Sequence, residues 1–234
     1  MKVGTDAVLL GAWTRLPMAE KGAESLEVLE IGCGCGIISL MLAQRLQQGE
    51  AQQNFGITAI DIHESSCQEA LENAQKSPWN KHISVQHLNF LQLDAQARFS
   101  LVVSNPPFFA ESLKSPDAAR NLARHNDTLP FGDLLQKSQQ VLCQGGILSL
   151  VLPPLAFEKI CALQAEVSPL LALNRITRVY SKAGKPCGRL LCEWQKTATA
   201  QTLQVQESQL FIYDAQGGYD AEYRRMVKDF YLWA

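Results

Sequence analysis

The sequence lacks the features that mark membrane, secreted and disulfide-stabilised proteins. No apolar run approaches the roughly 20 residues that cross a bilayer, and no basic stretch followed by an apolar one opens the chain. The seven cysteines are an odd number and form no C-x-x-C pair, which favours reduced thiols over disulfides or a zinc site. We therefore expect a soluble, cytoplasmic protein that contacts no membrane and holds no metal.

Charge is also scarce: 19% of the residues are charged, and the formal net charge is −2 at pH 7. This balance excludes a globally basic nucleic-acid-binding protein. Between residues 168 and 198, however, a single acid, Glu193, accompanies six basic side chains: Arg175, Arg178, Lys182, Lys185, Arg189 and Lys196. Such a cluster can bind phosphates or can form a solvated face, and the sequence leaves both interpretations open.

The chain is long enough for one sizeable domain. Its 234 residues, 47% of them hydrophobic, would bury roughly 70–75% of the surface that the unfolded chain exposes. No internal repeat and no low-complexity linker divides them. We predict a single domain over residues 1–234, with a core over about 1–196 and a C-terminal extension over about 197–234, and we expect it to act as a monomer.

Strand-like and helix-like patterns alternate along the core. Strands are predicted over 26–31, 56–61, 83–88, 100–104, 147–152, 171–180 and 188–196, and helices over 37–43, 64–76, 129–143 and 155–166. A short helix over 7–13, capped by Thr5 or Asp6, precedes them. Two short β-like runs, 203–206 and 210–213, and a helix over 220–232 follow. This order predicts an α/β fold: a mostly parallel, seven-stranded sheet flanked by helices, which binds ligands at the carboxyl ends of its strands.

The predicted strand over 100–104 runs into a rigid polar corner, Asn105-Pro106-Pro107-Phe108. The prolines lack N–H donors and fix φ, so the carbonyl groups of Asn105 and Pro106 are held in place as acceptors. Asn105 adds a side-chain amide, and Phe108 offers a ring on which a planar group can stack. A planar ligand with an amino group fits these features. The alternative is a turn that the prolines only stiffen.

A glycine turn, Gly32-x-Gly34-x-Gly36, follows the first predicted strand and is preceded by Glu30. A dinucleotide fingerprint, G-x-G-x-x-G, would require glycine at the position of Ile37. The observed spacing instead suits S-adenosyl-L-methionine (SAM), which lacks phosphate but carries an α-amino group that Glu30 could receive. A generic nucleotide site remains the alternative.

Two further polar residues close the next predicted strands. Asp61 ends the second strand, where its two oxygens could accept hydrogen bonds from both hydroxyls of a ribose. Asn89 follows the third strand, where it could bind the adenine of the cofactor. Since the carboxyl ends of parallel strands share one edge of a sheet, we expect both residues to line one crevice with the glycine turn and Asn105.

These motifs together resemble those of class I SAM-dependent methyltransferases that methylate amino groups. The segments 2–13, 77–79 and 229–232 are similar, more narrowly, to a bacterial family of tRNA adenine-N6 methyltransferases that act beside the anticodon of valine tRNA. The likeness covers nearly the whole chain and implies a Rossmann-like fold. It extends the predicted cofactor site to Lys2, Thr5, Ile62 and Phe90. Where family members often carry an acid, this chain has Asn89.

The resemblance implies transfer of a methyl group from SAM to N6 of an adenine in tRNA, at position 37 on the 3′ side of the anticodon. The corner of Asn105, Pro106, Pro107 and Phe108 would be catalytic: two oxygens hold N6 and the ring stacks on the flipped base. Asn105 would also border the cofactor. Arg120, Arg124 and His125 would lie near substrate phosphate or form a solvated helix face.

The same corner occurs in enzymes with other substrates. Such enzymes methylate guanine N2 of ribosomal RNA, adenine in DNA or a glutamine of a protein. The glutamine enzymes usually place a helical domain before the glycine turn, where this chain has only about thirty residues. A methyltransferase-fold protein that binds RNA without catalysis is the non-enzymatic alternative.

Overall fold

The computed structural model describes residues 3–17, 25–48, 54–106 and 129–232. Lys2, Pro107 and Phe108, and the basic residues predicted over 120–125, lie outside this range. No helix within it has the length and apolar character needed to cross a membrane.

Helices and strands alternate in the predicted order, and the fold is Rossmann-like. The strands are β1 (Leu26–Ile31), β2 (Phe55–Asp61), β3 (Ile83–His87), β4 (Phe99–Ser104), β5 (Leu142–Leu152), β6 (Leu171–Tyr180), β7 (Cys187–Lys196) and β8 (Gln206–Phe211). The helices are α1 (Thr5–Trp13), α2 (Ile37–Gln48), α3 (Glu64–Gln75), α4 (Phe131–Val141), α5 (Pro154–Val167) and α6 (Ala221–Val227), and a 3₁₀ turn spans Phe90–Gln92.

In the part of the chain that the structure describes, one sheet contains all eight strands, in the order β3-β2-β1-β4-β5-β7-β6-β8. Among the strands of the described ranges, β7 alone is antiparallel to its neighbours, β5 and β6. The prediction of a mostly parallel sheet is confirmed. Its count of seven strands omits β8, which the C-terminal extension adds in parallel beside β6. The two β-like runs predicted there are a single strand, because Gln206–Phe211 pairs with β6 along its whole length.

The first helix begins differently from its prediction. Gly4 is the N-cap, and Thr5 already lies in the first helical turn, so neither Thr5 nor Asp6 caps the helix. The Asp6 carboxylate instead accepts a hydrogen bond of 2.7 Å from Nε of Arg189. Since Arg189 lies near the start of β7, this ion pair holds the beginning of α1 at the edge where β5 and β6 end.

Apolar clusters cover both faces of the sheet. One cluster packs α1, α2 and α6 against it, and the other packs α4 and α5 around the fully buried Trp194. In the first cluster Tyr223 and Val227 of α6 are 2% and 0% exposed. The C-terminal extension thus shares both the sheet and the core of the rest of the chain, and we propose that the two form one domain.

Candidate active site

The site lies where the strand order of the sheet reverses. From β1 the chain builds β2 and β3 on one side, whereas β4 and β5 lie on the other, so the crevice for ligands is between the ends of β1 and β4. Ile31 and Ser104 are paired in register, and the buried Ser104 Oγ donates to the Ile31 carbonyl oxygen at 2.9 Å. The glycine turn and Asn105 therefore start from adjacent positions.

The backbone of the glycine turn is accessible at its first glycine, Gly32. Gly32, Gly34 and Gly36 have φ of 70°, 54° and 78°, in the left-handed region that favours glycine. A Cβ at Gly32 would meet no atom within 4 Å, so this position is open, whereas a Cβ at Gly36 would lie 3.2 Å from the Cβ of Ala70. The turn thus combines an open cradle at its start with tight packing on α3 at its end.

Asp61 is built into this turn. Its Oδ2 accepts from the Gly34 main-chain N–H at 3.0 Å and its Oδ1 from that of His63 at 2.9 Å. The residue is 7% exposed. A carboxylate has about four lone-pair positions, so each oxygen retains capacity for one further donor. This geometry is compatible with the predicted contact to two ribose hydroxyls, which stays a prediction.

Glu30 is buried beneath the glycine turn and has a partner on α2. Its carboxyl group lies beneath the turn, 1% exposed, and accepts hydrogen bonds from the Ser39 main-chain N–H at 2.9 Å and from the Ser39 hydroxyl. Burial raises the pKa of Glu30 to about 8, with a smaller contribution from the negative charge of Asp61. Glu30 therefore fastens the turn to α2, and its predicted contact with a cationic group of the ligand stays a prediction.

The residues that follow β2 and β3 divide into exposed and buried ones. Ile62 is 38% exposed, directly after Asp61, and offers an apolar surface to a planar ring. Asn89 is exposed, but its Oδ1 already accepts from the Leu91 main-chain N–H at 2.9 Å, which leaves its amide donors for a ligand. The side chain of Phe90, also predicted at the cofactor, is 3% exposed because it packs in the core.

At the end of β4, Asn105 is half-buried and Pro106 is buried. Pro107 and Phe108 lie outside the described residues, so the roles predicted for them stay predictions. Thr5 is exposed at the start of α1. Its predicted cofactor contact also stays a prediction, as does that of Lys2, which the structure does not describe.

Most residues of the predicted basic cluster form ion pairs or hydrogen bonds within the protein. Arg175 forms an ion pair with the 1% exposed side chain of Glu193, with 3.1 Å between Nε and Oε2, and stacks 3.6 Å above the Trp13 ring. Arg178 pairs with Glu207 and Arg189 with Asp6. Lys196 Nζ donates to the Leu142 carbonyl oxygen at 2.7 Å. Of the six basic residues, Lys182 and Lys185 remain in an exposed hairpin.

Two serines that the sequence did not predict, Ser104 and Ser39, support the site. Ser104 could have been suspected, because it is a polar residue at the end of an otherwise apolar strand. Ser39 offered no such signal, since its contact with Glu30 exists only once α2 packs on β1. All seven cysteines are free thiols, and no group of three metal-ligating side chains occurs within the described residues.

Comparison with known proteins points in one direction. The sequence model of the "methyltransferase small domain" family matches residues 13–156. A tRNA1(Val) (adenine(37)-N6)-methyltransferase of Parabacteroides distasonis is 38% identical over 99% of this chain and 91% of its own length. The enzyme of the same name from Proteus mirabilis is 37% identical over 100% of this chain and 88% of its own length.

Solved structures agree at the level of the fold. The structure of a protein described as a predicted O-methyltransferase from Agrobacterium tumefaciens superposes with a TM-score of 0.68. The two sequences are 16% identical, and the alignment covers 96% of each chain.

Proposed function

Because this chain belongs to the methyltransferase small-domain family, and within it to the tRNA1(Val) (adenine(37)-N6)-methyltransferases, we propose that it methylates N6 of an adenine in tRNA. The target is the adenine at position 37, on the 3′ side of the anticodon of valine tRNA, and the methyl donor is SAM. The observation that carries the proposal is the adjacency of the glycine turn and Asn105 across the paired ends of β1 and β4.

The cofactor would lie along the carboxyl ends of β1 to β3. The open backbone at Gly32 would admit its methionine part, the Asp61 carboxylate would accept from its ribose hydroxyls, and Ile62 would cover its adenine. Bound SAM supplies a methyl group on a positively charged sulfur, which is already electrophilic. Transfer would form the bond from N6 to the methyl carbon as the carbon–sulfur bond breaks, would leave S-adenosylhomocysteine, and would release one N6 proton to solvent. The chemistry therefore calls for a positioned acceptor nitrogen more than for a general base.

The acceptor nitrogen would be positioned by the corner after β4. The side-chain oxygen of Asn105 and the carbonyl oxygen of Pro106 would each accept one hydrogen of N6. This arrangement aims the nitrogen at the methyl group and stabilises the positive charge that develops on it. Well-oriented reactants can gain about 7–11 kcal/mol in this way. The target base would leave its stack to enter the site and would regain stacking on Phe108.

The proposal includes a monomeric enzyme that acts in the cytoplasm. The decisive experiment incubates the protein with labelled SAM and, separately, with unmodified tRNA, ribosomal RNA, DNA and protein, and then identifies the methylated product. N6-methyladenine in valine tRNA is the expected product. Label in guanine N2, in DNA or in a glutamine would contradict the substrate assignment.

The role of the corner is tested by Asn105→Ala. This variant should lose methyl transfer while it retains SAM binding within a few-fold. Asn174→Ala is the matched control, because Asn174 lies within β6 and contacts Gln195. It should turn over normally. Normal turnover by Asn105→Ala would instead remove Asn105 from the catalytic corner.

A further inference from the structure

The sheet carries aromatic rings and lysines at the same edge as the candidate active site. Because β6 is parallel to β5 through the intervening antiparallel β7, and β8 is parallel to β6, the chain leaves β6 and β8 at the edge where Asn105 follows β4. The loop 181–186 follows β6 and the loop 212–219 follows β8. Four strand spacings of about 4.8 Å place β8 roughly 19 Å from β4.

Rings are stacked along these two loops. Tyr180 and Phe211, the last residues of β6 and β8, stack with centroids 5.3 Å apart. Tyr213 stacks on Tyr219 at 5.2 Å, and Tyr219 lies 5.6 Å from the buried Tyr223. Tyr223, Tyr219 and Tyr213 thus form a tyrosine ladder that begins in the core. It ends in solvent, where Tyr213 and Tyr219 are 40% and 39% exposed.

Hydrogen bonds fix the ladder in place. The Ile212 main-chain N–H donates to the Tyr180 carbonyl oxygen at 3.0 Å, and that of Tyr213 donates to Ser181 at 2.8 Å. These bonds join the two loops. Within the second loop, Asp214 Oδ1 accepts from the main-chain N–H groups of Gln216 and Gly218 at 2.9 and 2.8 Å. The Asp214 carboxylate is thus used by its own turn, and Tyr213 is held by its main chain.

Positive charge accompanies the rings. Lys182 directly follows Ser181, the residue to which Tyr213 is bonded, and Lys185 lies in the same loop. Both lysines are exposed, and neither forms an ion pair with any other residue that the structure describes. They differ in this from Arg175, Arg178 and Arg189, which pair with acids.

We infer that the tyrosine ladder and the loop that carries Lys182 and Lys185 form a docking surface for single-stranded nucleotides of the substrate RNA. Exposed rings stack on bases and neighbouring lysines contact phosphates, which is the combination that binds single-stranded nucleic acid. This inference rests on the proposed function. An anticodon loop whose target adenine enters the site at Asn105 would extend its flanking nucleotides along this edge. The loop after β6 and the C-terminal extension would together receive them.

The test compares the binding of unmodified valine tRNA to four variants by fluorescence anisotropy at several salt concentrations. Lys182→Glu/Lys185→Glu should weaken binding by about 10-fold or more and lower the slope of log K against log salt by roughly one to two. Tyr213→Ala should weaken binding by about 10-fold, the loss of one stacked base, whereas Tyr213→Phe keeps the ring and should bind normally. Lys81→Glu controls for charge reversal at a single lysine, because Lys81 precedes β3 at the opposite edge of the sheet, and it should bind tRNA normally.

The readouts separate this inference from the proposed function. SAM affinity, measured by calorimetry, should be the same for all four variants, and KM for tRNA should rise only for the double lysine variant and Tyr213→Ala. A wild-type protein that methylates tRNA, with variants that bind it unchanged, would overturn the docking surface alone. A wild-type protein that neither binds nor methylates tRNA would overturn both.

Discussion

The main-chain N–H of Gly34 donates to the Asp61 carboxylate across 3.0 Å, so the end of β2 holds the shape of the turn after β1. The second oxygen of the same carboxylate accepts from His63. A residue expected to bind the cofactor thus also orders the backbone that would receive it, and its substitution should affect both.

Asp61→Ala should lower SAM affinity by about 10-fold or more, since hydrogen bonds to a charged group contribute about 1.5–3 kcal/mol each. Asp61→Asn keeps one acceptor oxygen and should lie between this variant and the wild type. Isothermal titration calorimetry measures both affinities. If Asp61→Ala binds SAM as the wild type does, the ribose contact is wrong.

Gly36→Ala should destabilise the protein more than Gly184→Ala. Both glycines have nearly equal φ, 78° and 77°, so the left-handed strain of about 1–2 kcal/mol is common to both. Only at Gly36 would the new Cβ meet a neighbour, Ala70, at 3.2 Å; nothing lies within 4 Å at Gly184. Urea unfolding gives the two free energies. Equal losses would mean that α3 yields to the added methyl group.

Glu30→Gln should change how stability depends on pH. Because burial raises the pKa of Glu30 from 4.5 to about 8, the folded protein binds more protons than the unfolded chain between these values. The contribution of Glu30 is then fully present below pH 4.5 and is lost as pH rises through 8. Glutamine has the shape of glutamic acid but does not ionise. The stability of the variant relative to the wild type should therefore increase as pH increases.

This difference is measured by urea unfolding of both proteins from pH 5 to pH 8. A difference in the free energy of unfolding that stays constant over this range would contradict a neutral, buried Glu30.

Glu193→Gln should destabilise the fold by about 3 kcal/mol, because it leaves the guanidinium of Arg175, 20% exposed, without its counter-ion. The double variant Arg175→Met/Glu193→Gln removes both charges and should recover most of that loss. Chemical denaturation of the two variants and the wild type provides the comparison. A double variant less stable than Glu193→Gln would show that Arg175 contributes mainly through its stack on Trp13.

The order of the elements and the edge that carries the site could be predicted because they depend on local patterns. The strand-like run Leu26–Ile31 is followed by a helical pattern, which is the order expected in a parallel sheet. The spacing of the three glycines between them indicates the turn. The partners of Glu30 and Arg175 could not be predicted. Ser39 contacts Glu30, and Glu193 contacts Arg175, only because separate helices and strands pack together. The spacing of residues along the sequence does not indicate that packing. The sequence predicts two short runs in place of β8 because that strand is exposed along most of its length and so lacks a continuous apolar pattern.

The first helix of the chain packs against the last one, and its flanking residue Arg15 donates to Gln206 Oε1 at 3.0 Å. Trp13 likewise donates to the Thr177 hydroxyl at 2.7 Å. During synthesis, at roughly 5–20 residues per second, α1 emerges long before any of these partners exists. The helix α2 follows closely and can cover part of the apolar face of α1 early. The part of α1 that meets β5, β7 and α6 stays uncovered until those segments have been made, and the C-terminal extension is the last of them to reach it.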